Sequence, residues 1–261
     1  MARYRFKQIR LYVEFDLVPG LQIAPNRDQA HYLLTVMRLK DGAEILVFNG
    51  RHGEWTAQIG QVTRRACQIT LTENIRPQTE RPKLDYCFAP LKQARLDYMV
   101  QKATEMGVGR LQMVLTQHTQ VSKFNLDRMR ANVLEACEQC GVLAIPEVLE
   151  PISLKDFAQS WVQSQPDGKI IFCDEGADGH NPLDRLAHLS PAPVALLIGP
   201  EGGFSDSERA FLNHIDAVLS IPLGPRILRA DTAAVAALAV IQSTLGDWRS
   251  DMDGVPIENN S

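Results

Sequence analysis

The sequence predicts an α/β protein: a small N-terminal β-barrel followed by a larger domain on a mainly parallel sheet. Three observations point there. Residues 9–75 carry short apolar alternations of period two, the signature of half-buried strands. After Pro82 the pattern changes to strand, helix, strand, repeated to the C-terminus, as in sheets whose crossovers are helices. Between the two lies Arg76-Pro77-Gln78-Thr79-Glu80-Arg81-Pro82, polar, proline-bounded and aperiodic, which suits a linker. The expected boundaries are a barrel over 1–75, a linker over 76–82, a second domain over 83–250 and a polar tail over 251–261.

In the first domain Leu11, Val13 and Phe15 alternate, as do Ile45 and Val47, then Trp55, Ala57 and Ile59, then Cys67, Ile69 and Leu71. Asn49-Gly50 between two of these runs signals a hairpin, because both residues tolerate positive φ. Asp28 to Leu39 has helical spacing in Ala30, Leu33, Leu34 and Met37. One helix among short antiparallel strands is the pattern of a small barrel.

The second domain opens with a strand at Leu84, Tyr86 and Phe88. A helix follows over Gln93–Met106, with Leu96, Met99, Val100 and Ala103 on one face and Gly107 as its stop. Arg110–Thr116 is expected as a strand and Asn125–Cys140 as a helix ended by Gly141. Ser153 with Asp156 caps another helix. Lys169–Cys173, Val194–Ile198 and Ala217–Ile221 have the continuous apolar character of buried parallel strands. Asn181-Pro182 matches an N-cap with a proline at the first helical position. Ser205 and Glu208 match a capping box, and Ala233–Leu245 is an alanine-rich helix.

Composition sets bounds on function. A 45% hydrophobic, 22% charged chain is ordinary for a globular protein. No apolar run approaches the roughly 20 residues of a membrane span. The start, MARYRFKQIRLYVEF, lacks the apolar core of a signal peptide. Five cysteines without regular spacing argue against a disulfide framework, so a cytoplasmic location is expected. The net charge of −4 conceals an asymmetry: residues 1–81 hold twelve Lys and Arg against eight Asp and Glu, and the remainder is net −8. A basic small half suits contact with a polyanion, although charge alone fits ordinary surface variation equally well.

Familiar chemistry is largely excluded. Neither a phosphate-cradling Gly-x-x-x-x-Gly-Lys-Ser/Thr nor a Gly-x-Gly-x-x-Gly follows a strand. Gly203-Phe204-Ser205 lacks the second glycine of a nucleophile elbow, and Ser205 reads as a helix cap. Cys137 and Cys140 have metal-like spacing, but no second pair completes four ligands, so no metal is expected. The six histidines are scattered and read as structural.

Two glycine-proline turns remain, ALLIGPEGGFSDSE (Ala195 to Glu208) and SIPLGPRILRADTAAVAAL (Ser220 to Leu238). Each follows a strand and leads into a helix, so the two can form one pocket at the carboxyl ends of neighbouring strands. Glycine lets a ligand approach the backbone closely. Glu201, Arg226, Arg229 and Asp231 add charge beside apolar Ile227 and Leu228. Such a pocket suits a ligand with an aromatic ring and a polar tail.

These paired segments closely resemble the signature of the bacterial 16S ribosomal RNA uracil-N3 methyltransferases, members of the SPOUT superfamily. VMRLKDGAEILVFNG around Arg38 resembles the family's N-terminal domain, and QKATEMGV (Gln101 to Val108) and EACEQCG (Glu135 to Gly141) its first two long helices. The resemblance implies a PUA-like RNA-binding barrel, a C-terminal SPOUT domain with a deep trefoil knot, and a homodimer acting on 16S rRNA in the small ribosomal subunit. It implies bent S-adenosyl-L-methionine held by three loops, with Cys173, Leu197, Gly199, Gly203, Ile221, Leu223, Gly224, Leu228 and Ala230 as cofactor contacts. Two departures stand out: Val142 where the family commonly has arginine, and Ala230-Asp231-Thr232 where it often has Thr-Glu-Thr.

Uracil N3 carries a proton and attacks only once that proton leaves, so charge develops on O2 and O4. Arg229 is the expected stabiliser of that charge, with Arg226 on a phosphate or the loop. Asp231 or Glu201 is the expected proton acceptor if burial raises its pKa, and otherwise a helix cap or a turn pin respectively. Arg3, Arg5, Arg10 and Arg38 are the expected RNA contacts, with Lys40, Arg64 and Arg65 behind them. Ribose 2′-O methylation and a noncatalytic RNA-binding role are the competing readings.

Overall fold

The computed structural model describes residues 8–121, 123–177, 179 and 181–249. Arg3, Arg5 and the segment 251–261 lie outside the described residues. The chain divides into two compact units, Met1–Arg81 with Val133–Ile145, and Pro82–Asn132 with Pro146–Ser261.

The first unit contains β1 (Arg10–Tyr12), β2 (Gln22–Ile23), α1 (Arg27–His31), β3 (Glu44–Phe48), β4 (Glu54–Gly60) and β5 (Gln68–Arg76). A π turn, Tyr32–Val36, continues α1. The sheet order is β1-β3-β4-β5-β2, with β1 parallel to β3 and the other pairs antiparallel. Its edges, β1 and β2, are not paired with each other, so the unit is a half-barrel. Ile45, Val47, Ala57, Ile59, Ile69 and Leu71 fill the concave face together with Leu33 from the π turn. α1 starts on a reciprocal capping box between Asn26 and Gln29. The β3–β4 connection forms where Asn49-Gly50 signals it, but with a five-residue loop. Of that pair only Gly50 takes positive φ (74°), and Gly53 does so at the far end of the loop (75°). Asn49 is buried: its Oδ1 accepts from the Arg51 and His52 amides, and its Nδ2 donates to the Phe15 carbonyl.

Arg10 requires a correction. Expected on an RNA-facing surface, it is buried with Glu54, Nε to Oε1 2.8 Å, both side chains 2% exposed. Arg76 adds a second cation to Glu54 at 3.2 Å. Withdrawing Arg10 toward a polyanion would strip buried Glu54 of its closer and buried partner, leaving Arg76 alone.

The second unit contains β6 (Leu84–Phe88), α2 (Gln93–Glu105), β7 (Arg110–Leu115), the start of α3 (Leu126–Cys140), β8 (Glu147–Ser153), α4 (Leu154–Ser164), β9 (Lys169–Cys173), α5 (Leu183–Leu186), β10 (Val194–Ile198), α6 (Asp206–Asn213), β11 (Val218–Ile221) and α7 (Ala230–Thr244). All six strands are parallel, in the order β11-β9-β10-β6-β7-β8. β8 escapes a periodicity reading because Pro151 interrupts it. A proline is tolerated there because β8 is an edge strand whose register with β7 skips between Gln112 and Val114. The buried Gln112 side chain donates to the Met113 and Glu150 carbonyls at that irregularity. Asn181 falls one place outside its expected cap, accepting from Leu183 N ahead of α5. α7 starts at Ala230, three residues earlier than its apolar pattern indicates.

Buried charge in this unit is matched. Asp85 in β6 is gripped by Arg110 through Nε (2.8 Å) and Nη2, and accepts from Trp161 Nε1 at 2.9 Å. Beyond β10, Phe204 folds back so that its ring lies 2.5 Å from where a Gly199 Cβ would stand, with its edge toward Phe172 at 4.9 Å between centroids. The missing Cβ of Gly199 therefore makes room for Phe204, a packing role where close ligand approach was expected.

Gly199→Ala must displace that ring, and overpacking of this kind costs about 1–3 kcal/mol; calorimetry should show a lower Tm, and an unchanged Tm would refute the packing role. A pH effect is expected in the first unit. Burial, and secondarily the neighbouring Glu135 charge, raise the Glu138 carboxyl above its ordinary pKa against the opposing hydrogen bond from Tyr12 N (2.8 Å). Its stabilising contribution is full below the ordinary carboxylate pKa and lost as pH rises through the raised folded value. Glu138→Gln keeps an acceptor without the charge; thermal melts should show a higher Tm near pH 8 and no gain near pH 4.

Candidate functional site

Parallel strands end at one edge, so the carboxyl ends of β9, β10 and β11 lie together. The two glycine-proline turns are not on adjacent strands, as β9 stands between β10 and β11. The site is consequently a three-loop cleft of about 360 Å³, walled chiefly by residues 173–175, 198–201, 203–204 and 221–230. Its apolar wall includes Ile198, Phe204, Ile221, Leu223 and Leu228, and its charged groups include Asp174, Glu201, Arg209, Arg226 and Arg229.

Local sequence explains each loop. Gly203 (φ 67°) closes the turn after β10 through its N–H to the Pro200 carbonyl, and Gly224 (φ 85°) bends the chain after β11. Both are conformations that side chains resist. α6 then begins on the Ser205–Glu208 capping box. Glu208 also accepts from Gln117 N at 2.7 Å, and His118 Nδ1 lies 3.1 and 3.0 Å from the Gly202 and Gly203 carbonyls. Hydrogen bonding to carbonyls requires a proton on that nitrogen. The loop after β7 is thus tied to the turn after β10.

Across residues 223–228, no main-chain hydrogen bond to another described residue is made. Main-chain donors and acceptors left open beside apolar walls are the makings of a site that recognises a ligand through backbone. Cys173, Gly199, Gly203, Ile221, Leu223, Gly224, Leu228 and Ala230 all line the cleft. Leu197 does not: it is fully buried in β10, packed in the core with Phe172 and Cys87. Alternation along the strand puts its side chain on the sheet face opposite that of Ile198, which lines the cleft.

Arg226 and Arg229 line the cleft, exposed and without an ion-pair partner among the described residues. Arg229 is the N-cap residue of α7, its carbonyl accepting from Ala233 N at 2.8 Å. Glu201 also lines the cleft, but its side chain is 48% exposed and paired with Arg95 of α2 at 3.0 Å. Asp231 lies outside the cleft lining, in the first turn of α7, and accepts from Thr232 N at 2.9 Å. A carboxylate there complements the positive end of the helix. Burial, above all, raises the pKa of the Cys173 thiol and the Tyr86 phenol, and the Asp231 charge is a lesser cause at Tyr86. Both groups stay protonated at neutral pH.

Sequence reading missed Asp174, Arg209, Arg95 and His118. A charged residue directly after the apolar strand β9 was the available signal for Asp174. The other three gain meaning only through partners distant in sequence. Arg38, in the first unit, is exposed with φ 55°, a left-handed conformation held just after the π turn. Among the described residues, no three His, Cys, Asp or Glu side chains cluster to hold a metal. Among them also, no helix is long and apolar enough to cross a membrane.

Comparison with known proteins adds independent findings. Residues 25–72 match an RNA methyltransferase PUA domain, and residues 79–242 an RNA methyltransferase domain. The chain is 29% identical to ribosomal RNA small subunit methyltransferase E of Rickettsia conorii, covering 90% of this chain and 96% of that protein. It is 31% identical to the Synechocystis protein of the same name, covering 90% and 78%. Among solved structures, a putative methyltransferase from Legionella pneumophila in complex with S-adenosylmethionine is 30% identical with a TM-score of 0.78, covering 90% of this chain and 97% of that one. The Neisseria gonorrhoeae methyltransferase E structure shares the fold, with a TM-score of 0.81 at 24% identity over 93% and 100% of the two chains. With its three-loop cleft falling inside the matched segment 79–242, the chain belongs to the RNA methyltransferase family.

Proposed function

We propose that the cleft binds S-adenosyl-L-methionine and that the protein methylates N3 of a uridine in 16S ribosomal RNA. The observation that carries this reading is the convergence of three loops around main chain that has no hydrogen-bond partner among the described residues, in a chain of this family. The residues fit the cofactor: Leu223, Gly224 and Leu228 offer backbone groups for an adenine edge and a ribose, and Ile198, Phe204 and Ile221 offer apolar walls for the ring.

Bound there, S-adenosylmethionine supplies an electrophilic methyl group. The remaining work falls to the protein. Arg229, without an ion-pair partner among the described residues, stabilises the charge that spreads over uracil O2 and O4 as the N3 proton leaves. Arg226, likewise without one among them, holds a phosphate. Of the two candidate carboxylates only Glu201 faces the cleft, and in this reading docked RNA covers its exposed side and it takes the N3 proton while Arg95 orients it. The target base must be unstacked to enter.

RNA docks on the first unit through exposed Arg38, Lys40, Arg64 and Arg65, together with Arg3 and Arg5. The substrate form is the small ribosomal subunit, the active species a homodimer and the location the cytoplasm. Exposed Tyr98 on α2 and Ile227 beside the cleft are apolar groups suited to a partner surface. The trefoil knot belongs to the same reading; the insertion of β9 between β10 and β11 and the packing of α7 on α2 and β10 support it.

The deciding experiment incubates the purified protein and methyl-labelled cofactor with unmodified small subunits and identifies the labelled nucleoside. Label in N3-methyluridine is expected; label on a ribose 2′-oxygen, or none, defeats the proposal. Arg229→Ala should lower the single-turnover rate roughly 10²–10³-fold, the scale for losing one transition-state charge stabiliser. Calorimetry should find cofactor affinity nearly unchanged. A near-normal rate would remove Arg229 from the chemistry.

A further inference from the structure

The ion pair between Asp174 and Arg209 bridges two walls of the cleft, and the Asp174 main chain meets the third. Asp174 is the first residue beyond β9 and is 9% exposed. Its main-chain N–H donates to the Ile221 carbonyl at 3.1 Å, joining the β9 loop to the end of β11. Its Oδ1 accepts from Gly176 N at 3.0 Å and is paired with the Arg209 guanidinium. Arg209, on α6, donates through Nε to the Phe204 carbonyl at 3.3 Å, which reaches the loop after β10. Both residues line the cleft.

We propose that Asp174 and Arg209 are a positioning pair that assembles the donor-binding cleft before the donor arrives. This rests on the donor-binding reading above. Three loops on three strands would each pay for ordering when a ligand binds, and a bond network already joining them removes much of that cost. The planar guanidinium suits the task because it serves a carboxylate and a carbonyl at once from fixed directions, which an ammonium cannot do. The pair does not duplicate the core: α6 is already anchored by fully buried Leu212, and Phe204 by Phe172. Its loss should loosen the cleft more than the fold.

The test uses the full-length protein, calorimetry with S-adenosylmethionine, hydrogen exchange of the protein without donor, and thermal melts. Variants are Arg209→Ala, Asp174→Ala, the double variant and the conservative Arg209→Lys. Each alanine variant should raise the donor Kd about tenfold or more, and the double variant no further than the worse single one, as expected of residues acting as a unit. At saturating donor, kcat should stay within about threefold of wild type, placing the defect in binding. The hydrogen-bonded amides of residues 174, 177 and 203 should exchange faster in the donor-free variants. Arg209→Lys, which keeps the charge and the fold, should raise Kd by a smaller factor with its Tm preserved. Unchanged donor Kd and unchanged exchange in Arg209→Lys and Arg209→Ala would overturn the proposal, as would additive effects of the two alanines. A wild-type protein that binds no donor would defeat the functional reading alone, since exchange in the donor-free protein still decides whether the pair orders the loops.

Discussion

Parallel strands bring all their carboxyl ends to one edge, and β9 stands between β10 and β11 with Ile171 opposite both Leu196 and Leu219. That pairing brings the loops after three strands to one place. β9 and β10 are held by apolar burial, with Ile170, Ile171, Phe172, Leu196 and Leu197 all fully buried, and half-buried β11 is anchored through Ile221. Had β11 paired with β10, the glycine-proline turns would be neighbours and Asp174 would have no place between them. The cleft is a consequence of strand order before it is a consequence of any particular side chain.

Two kinds of charged group stand apart. Those that hold the structure are paired and withdrawn from solvent: Glu54 with Arg10 and Arg76, Asp85 with Arg110 and Trp161, Asp174 with Arg209. Removing one partner of such a set leaves an uncompensated buried charge, so these residues are poorly suited to a passing ligand. Arg226 and Arg229 are the other kind, exposed, unpaired among the described residues and beside the cleft. Family membership gives that contrast its meaning, because free cations near a backbone-lined pocket suit an anionic polymer whose base develops charge during reaction.

Local patterns were legible wherever local physics decides. The apolar face of α2, the capping boxes at Asn26 and Ser205, and the glycine stops at Gly107 and Gly141 depend on residues three or four apart. Legibility failed where a distant partner decides. Pro151 concealed β8, because only its place at a sheet edge makes a proline acceptable. Arg10 looked like surface charge until Glu54 claimed it. Asp231 and Glu201 looked equivalent as carboxylates, yet one sits on a helix end and the other faces the cleft.

The amino-acid order by itself determined the alternation of strands and helices, the change of architecture near Pro82, and the two turns whose motifs carry the family likeness. These follow from periodicity, capping and backbone freedom, which act within a few residues. Only the tertiary structure decided that β9 separates those turns, that Gly199 yields its space to Phe204, and that Asp174 meets Arg209. Such facts depend on which segments become neighbours after collapse, and contacts between residues far apart in the chain leave no periodic trace along it.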